Sequence, residues 1–76
     1  MRSDAEILLS ARKKLGMTQQ QVADKAKIAW RQYHRFESGE RRLMSASFEL
    51  AADVLMALEL DVDDFAHGRY AATDDE

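Results

Sequence analysis

The side chains best suited to recognition chemistry lie in one stretch, "AWRQYHRFESGE", residues 29–40. Arg31, Gln32 and Arg35 carry groups that can form two hydrogen bonds to one base edge, arginine with guanine and glutamine with adenine. Trp30 can pack on a thymine methyl group or a sugar, or it can instead cover the turn that precedes the helix. A solvated helix face is the plain alternative for all four.

An apolar stripe runs through the same stretch. Ala29, Tyr33 and Phe36 recur at i, i+4 and i+7, a spacing that predicts one inward face of a helix over residues 29–38. His34 falls on the flank of that face, near the backbone or in solvent. We therefore expect the aromatic side chains to divide, with some in the core and the polar residues outside.

Capping boxes predict where the two preceding helices begin: Ser3 pairs with Glu6, and Thr18 pairs with Gln21. Helix 1 is expected to end at Gly16, a natural left-handed stop. Helix 2 is short, and a narrow apolar face is formed by Val22, Ala23 and Ala26. Only three or four residues separate helices 2 and 3, the length of the turn in a helix-turn-helix.

A fourth helix is predicted over "FELAADVLMALEL", capped by Ser47 or Ser45, with a core stripe at 48, 51, 52, 55 and 58. A short fifth helix follows at "DVDDF", with Asp61 as its cap. The acidic end, residues 71–76, lacks apolar anchors and is predicted to be disordered. The pattern is that of a single all-α domain over residues 1–70.

Composition excludes several classes of function. There is no cysteine, the two histidines are far apart, and no apolar run approaches the length of a membrane span. We find no nucleophile–base pair, no phosphate-binding glycine loop and no metal-ligand pattern. We therefore expect a cytoplasmic protein that is not an enzyme, with no cofactor, no metal and no membrane partner.

Charge is divided unevenly along the chain. Residues 1–42 contain ten Lys or Arg and five Asp or Glu, a net +5, whereas residues 43–76 contain one Arg and nine acidic residues, a net −8. The first part could meet a polyanion and the second should repel one, although both could equally be ordinary solvated surface.

The segment "MTQQQVADKAKIAWRQYHRFESGERR" resembles the lambda-repressor-like helix-turn-helix of the XRE (Cro-like) family. The later "MALELDVDDF" resembles the closing segment of that family, so that the resemblance covers roughly residues 5–68. The residues that carry it in the first segment are Thr18, Gln19, Ala23, Ile28, Tyr33, Phe36, Glu37 and Gly39.

The resemblance implies a compact five-helix lambda-repressor-like DNA-binding domain whose helices 2 and 3 form the helix-turn-helix. Its implied function is a sequence-specific transcriptional regulator, a repressor, that reads the major groove of double-stranded DNA with helix 3. Gln19 is implied to contact a phosphate. The full set of implied DNA-binding residues is Thr18, Gln19, Trp30, Arg31, Gln32, Arg35, Ser38, Arg41 and Arg42.

Three features depart from the family pattern. Lys27 stands where glycine is common, so the turn is expected to form without a free left-handed residue. Glu40 stands where a basic residue is frequent and would face phosphate unfavourably. The loop 40–46 is about three residues longer than usual and lacks the usual proline. These departures concern phosphate contacts more than the fold.

The resemblance also implies a structural ion pair between Arg12 of helix 1 and Glu37 of helix 3, which we expect to be largely buried. Specific reading by so small a domain normally needs a dimer over two half-sites. The homodimer contact is predicted at Leu43, Met44, Met56 and Leu60.

An alternative function is a protein-interaction or antitoxin-like module on the same fold, with a protein partner and little or no direct DNA binding. The acidic second half of the chain and Glu40 favour this alternative.

Overall fold

The structure, a computed structural model, describes residues 3–70. In this part of the chain it contains five α-helices and one 3₁₀ turn, and the predicted all-α fold is confirmed. No helix among these residues is long and apolar enough to cross a membrane. The acidic segment 71–76 lies outside the described residues. The elements in order are α1 Asp4–Leu15, α2 Gln19–Ala26, α3 Trp30–Ser38, the 3₁₀ turn Leu43–Ser45, α4 Phe48–Ala57 and α5 Val62–Ala66.

Side-chain caps fix the start of four helices. Both predicted capping boxes form: the Ser3 and Thr18 hydroxyls accept from the third helical amide, and the Glu6 and Gln21 side chains bond back to the cap amides. Side-chain oxygens also cap α4 and α5, at Ser47 and Asp61.

The start of α3 differs from the other four. Its N-cap is Ala29, which has no side-chain acceptor to offer the first amides. Ala29 is also exposed, so its predicted place on the inward stripe is wrong. An extended φ and ψ at this residue turn the chain into α3 and direct its methyl group to solvent.

A residue with left-handed φ follows each of the five helices, and amides at each end bond back to carbonyls of the last turn. These residues are Gly16, Lys27, Gly39, Glu59 and Gly68. Lys27 itself adopts φ 61°, so the turn between α2 and α3 does use a left-handed residue, although not a glycine. Such a conformation costs a residue with a side chain about 1–2 kcal/mol.

The end of α4 corrects the sequence prediction. The helix was expected to continue to Leu60, but it ends at Ala57 because Glu59 takes φ 59°. The amide of Leu60 then bonds to the Leu55 carbonyl at 2.9 Å. This bond directs the Leu60 side chain onto the core, where it packs as a half-buried residue.

The core lies where α3 packs on α1 and α2, and where α4 packs on α2 and α5. Tyr33 and Phe36 are fully buried, as their spacing predicts. The α2 face of Val22, Ala23 and Ala26 is buried too. Because α3 is held from two sides by α1 and α2, its remaining surface faces outward.

Helix α4 buries a different set of apolar residues from the predicted stripe. Ala51, Leu55 and Leu58 are buried, but Phe48 is 76% exposed and does not belong to the core. A helix that is apolar around much of its circumference has several possible core stripes, and only its neighbours decide between them. Here α2 and α5 cover the side opposite Phe48.

Candidate nucleic-acid interface

A buried carboxylate anchors the inner side of α3. Glu37 is 9% exposed, and its two oxygens accept four hydrogen bonds. Arg12 donates from Nε and Nη2, at 2.8 Å each; the Tyr33 hydroxyl donates at 2.6 Å and Gln19 Nε2 at 2.8 Å. Arg12 Nη1 also donates to the Met17 carbonyl at 2.9 Å. This arrangement joins α1, α2 and α3 at one point.

The ionised form of Glu37 is favoured by its donors. Burial alone would raise the pKa of Glu37, but the hydrogen bonds from Arg12, Tyr33 and Gln19 and the charge of Arg12 outweigh it, so the pKa lies below its ordinary value. The bond to Glu37 raises the pKa of Arg12. Burial, then the hydrogen bond to Glu37, raises the pKa of Tyr33. Arginine and carboxylate therefore stay charged and tyrosine stays neutral at neutral pH.

The opposite side of α3 carries the predicted reading residues. Arg31 and Arg35 are exposed and lie one helical turn apart on the same outward face, with Gln32 half-buried at its edge. Trp30, the first residue of the helix, is 42% exposed. Within residues 3–70, neither arginine forms an ion pair. Their guanidinium groups are therefore available to an anionic or hydrogen-bonding partner.

The start of α2 adjoins this surface through its packing on α3. Thr18, predicted to contact DNA, is exposed, and its hydroxyl accepts from the Gln21 amide at 3.1 Å. The amides of Gln19 and Gln20 find no acceptor among the described residues. Unpaired amides at the first turn of a helix favour an anion.

The side chain of Gln19, predicted to contact a phosphate, forms contacts within the protein. Its Nε2 donates to Glu37 and its Oε1 lies 3.2 Å from His34 Nδ1. The amide nitrogen has a second hydrogen, so the phosphate contact of this side chain stays a prediction beside its bond to Glu37. His34, placed by its spacing only on the flank of the helix, also stacks on the Trp30 ring, with centroids 5.0 Å apart and planes inclined by 20°.

The sequence pattern missed this contact between Gln19, His34 and Trp30. The spacing of Trp30 and His34, four residues apart, does indicate neighbours on a helix. The contact with Gln19 has no such signal because it depends on how α2 crosses α3.

The loop after α3 holds the remaining predicted contacts. Ser38, Arg41 and Arg42 are exposed. The Ser38 hydroxyl donates to the Arg35 carbonyl at 3.2 Å, and the Arg41 guanidinium lies over the Phe36 ring, 5.6 Å from its centroid. Arg41 is thus partly held by packing, whereas nothing among residues 3–70 pairs with the Arg42 side chain.

The predicted dimer residues do not lie on one surface. Leu43 is fully buried in the core, so its predicted dimer contact is wrong. Leu60 lines a groove against α1, while Met56 lines a separate groove beside Lys25 at the end of α2.

The exposed apolar residues of the described chain include Met44, Phe48 and Met56, at 48%, 76% and 59%. Phe48 and Met56 fall on the outer side of α4. Met44 lies in the 3₁₀ turn just before that helix.

Three acidic residues of the second half of the chain lie together at α5. Asp61 caps that helix, and Asp63 and Asp64 pair with Arg69 at 3.3 and 2.7 Å. Helix α5 packs on α4, whereas α3 packs on α1 and α2. The three carboxylates are close enough to share a cation, but they are exposed and already serve as a cap and as partners of Arg69.

Comparison with known proteins gives one match. No curated protein and no solved structure matches the chain. A family model described as helix-turn-helix matches residues 8–65, which include α2, the turn and α3. Because the match covers most of the chain, the protein belongs to the XRE-type (Cro- and lambda-repressor-like) helix-turn-helix family of DNA-binding regulators.

Proposed function

We propose that this protein is a sequence-specific transcriptional repressor that binds double-stranded DNA as a homodimer. Helix α3 would enter the major groove with its N-terminal half toward the base edges. The observation that carries the proposal is the difference between the inner and outer sides of α3. Its inner side is fixed by the buried Glu37, and its outer side presents Arg31 and Arg35 without ionic partners among residues 3–70.

Base reading is assigned to four side chains of α3. Arg31 and Arg35 can each bond two acceptors of a guanine, and Gln32 can bond an adenine edge. Trp30 supplies an apolar surface for a thymine methyl group or a sugar. Each arginine is exposed on a helix that Glu37 ties to α1 through Arg12 and to α2 through Gln19, which limits the conformational cost of binding.

Phosphate contacts are assigned to residues on either side of α3. The free amides of Gln19 and Gln20 at the start of α2 suit a phosphate, and they add to the contact predicted for the Gln19 side chain. Thr18, Ser38, Arg41 and Arg42 remain predicted contacts, all exposed. Phosphate contacts set position and affinity, whereas the α3 side chains would set sequence preference.

The homodimer contact is assigned to the outer side of α4 and the turn before it. Large apolar side chains there, Met44, Phe48 and Met56, are about half exposed or more. Sedimentation of the parent chain and of Phe48→Glu at matched concentrations tests this contact. We expect a dimer for the parent and a monomer for the variant, and a monomeric parent would contradict the assignment.

The central test is selection of binding sites from a random duplex library at about 50 mM and 200 mM salt, a range over which phosphate-dominated affinity falls steeply. We expect an enriched palindromic motif whose half-sites lie about one helical turn apart. Absence of any enriched motif at the lower salt concentration would contradict sequence-specific binding.

Matched arginine variants distinguish base-specific contacts from general electrostatic attraction to DNA. Arg31→Ala and Arg35→Ala should each lose about 1–3 kcal/mol at particular motif positions. Arg42→Ala should weaken binding to all sequences alike, and the slope of log affinity against log salt concentration should fall by about one. Arg69→Ala is the control, since it removes an equal charge from the α5 region. An equal effect of Arg31→Ala and Arg69→Ala would contradict the assignment of α3.

A second candidate function is a protein-interaction or antitoxin-like module that uses this fold without DNA. The observation that favours it is the exposed apolar side of α4, together with the acidic residues of the adjoining α5. The same library selection distinguishes the two. A chain that selects no DNA motif but forms a stable complex through Phe48 would support this candidate.

A further inference from the structure

His34 occupies a place in the structure that neither its lone position in the sequence nor the family match accounts for. Its Nδ1 lies 3.2 Å from Gln19 Oε1, and its ring stacks on Trp30. One face of this histidine therefore contacts an exposed aromatic residue of α3, while its ring nitrogen contacts the first residue of α2. The side chain is half-buried between them.

The direction of each hydrogen bond follows from the chemistry of the partners. Glu37 is ionised and can only accept, so the Gln19 amide must present Nε2 to it. The Gln19 oxygen then faces His34, and this oxygen can only accept. His34 Nδ1 must therefore carry the proton in the 3.2 Å contact. One orientation of Gln19 and one tautomer of His34 are selected by a carboxylate that Arg12 holds in place.

The stacking of His34 on Trp30 extends this fixed geometry to the protein surface. Trp30 begins α3 and is 42% exposed, with no side-chain cap on the residue before it. An exposed indole at such a position would normally sample several rotamers. Here the His34 ring lies nearly parallel to it, and the far side of His34 is tethered through Gln19. The indole is thereby ordered in the free protein.

We propose that Gln19, His34 and Trp30 act as a relay from the buried Arg12–Glu37 ion pair to the DNA-reading surface, with His34 as the positioning residue. The relay fixes the Trp30 indole before DNA arrives, so that its apolar surface discriminates at one or two base positions. This inference rests on the proposed DNA-binding function and adds a specificity determinant to it.

Two substitutions separate the links of the relay. His34→Phe keeps a ring that can stack on Trp30 but removes the donor to Gln19. His34→Asn keeps an amide nitrogen near the place of Nδ1 but removes the ring. His67→Asn is the matched control, because His67 is an exposed histidine beyond α5 that bonds only to Asp63.

The first readout uses the free protein. The chain has a single tryptophan, so its indole N–H gives one NMR signal. We expect the order parameter of this group to fall from about 0.85 toward about 0.6 in both His34 variants. The control should leave it unchanged. Far-ultraviolet circular dichroism checks that each variant keeps its helices.

The second readout is the ratio of affinities for the selected duplex and for a scrambled duplex of equal length. We expect both His34 variants to lose about tenfold in this ratio. Affinity for the scrambled duplex should stay unchanged, since no phosphate contact is altered. His34→Ala, which breaks both links, should lose little more than either single-link variant, because a relay fails at any one break.

The outcomes separate this inference from the function on which it rests. If the parent chain selects a motif and His34→Phe keeps both the motif and the ordered indole, stacking alone suffices and the relay is wrong. If both variants keep the parent's motif, His34 does not position a reading residue. If the parent selects no motif at all, the proposed function itself fails, and the relay cannot serve DNA reading.

Discussion

Two contacts between an arginine and a carboxylate, one in the first half of the chain and one in the second, have the same chemistry. Arg12 bonds Glu37 at 2.8 Å, and Arg69 bonds Asp64 at 2.7 Å and Asp63 at 3.3 Å. Their surroundings differ. The Arg12 and Glu37 side chains are 17% and 4% exposed, whereas the Arg69 side chain is 57% exposed.

The difference lies in what each contact holds together. The Arg12–Glu37 pair joins α1 to α3, 25 positions apart in sequence, and the same carboxylate also takes donors from Gln19 and Tyr33. The Arg69 contacts stay within α5 and the turn that follows it. A buried charge that loses its partner cannot recover its hydration, while an exposed one can. Distance alone therefore does not rank the two contacts.

Glu37→Gln should have the largest effect on stability. The substitution keeps the size of the side chain but leaves the Arg12 guanidinium without its counter-charge. Breaking one partner of a buried pair costs roughly 3–5 kcal/mol. The free energy of unfolding in urea, measured at neutral pH, should fall by about that amount. A variant that unfolds at the parent's urea concentration would contradict the importance of this pair.

A double substitution sharpens the same point. Replacing both Arg12 and Glu37 by apolar residues of similar size, Arg12→Met with Glu37→Leu, removes the pair without leaving a buried charge. We expect the double variant to be less destabilised than the sum of the two single variants. Additive effects would indicate that the two side chains act independently.

Lowering the pH should next remove the stabilisation that comes from the Arg12–Glu37 pair. Because donors hold the pKa of Glu37 below that of an unfolded glutamate, the native state is favoured while the pH is above the unfolded value of about 4.3. That stability is lost as the pH falls from there through the depressed native pKa. The difference in unfolding free energy between the parent and Glu37→Gln should therefore shrink in this range. A difference that stays constant down to about pH 2 would be the contrary result.

Tyr33→Phe tests one donor of the buried site. The hydroxyl, fully buried, donates to Glu37 at 2.6 Å, and the substitution keeps the ring in the core. A hydrogen bond to a charged group contributes about 1.5–3 kcal/mol, and we expect the lower end because three other donors remain. Urea unfolding of Tyr33→Phe is compared with Tyr70→Phe, which removes a hydroxyl that accepts from the Asp61 amide in an exposed hydrogen bond. An equal effect of both substitutions would contradict the contrast between the two regions.

The sequence predicts this contrast only in part. Capping boxes and helical spacing are local signals, and they placed the starts of α1 and α2 and the burial of Tyr33 and Phe36 correctly. The left-handed turns at Lys27 and Glu59 carry no such signal, since neither residue is a glycine. The packing of Ile28 and Leu60 onto the core accompanies these turns, as a hydrophobic contact often does at such helix ends.

The predictions that went wrong concern residues whose neighbours come from distant parts of the chain. Leu43 was predicted to be available to a partner and Phe48 to be in the core, and the structure reverses both. Either residue is an acceptable core side chain, so hydrophobicity does not decide between them. The place of Gln19 beside Glu37 and His34 likewise depends on how α2 crosses α3, which no spacing within one helix reveals.

Arg69→Gln should have the smallest effect. Hydrogen bonds from Arg69 to Asp64 and Asp63 raise the pKa of its guanidinium, but the group is exposed and was already charged at every working pH. Loss of the ion pairs should be offset by hydration of the freed carboxylates, so the melting temperature should match the parent within error. Any small change should vanish as salt screens the surface charges. Arg12→Gln, measured alongside, makes the same chemical change at the buried site and should melt well below the parent. Equal melting temperatures for these two variants would remove burial as the reason that the contacts differ.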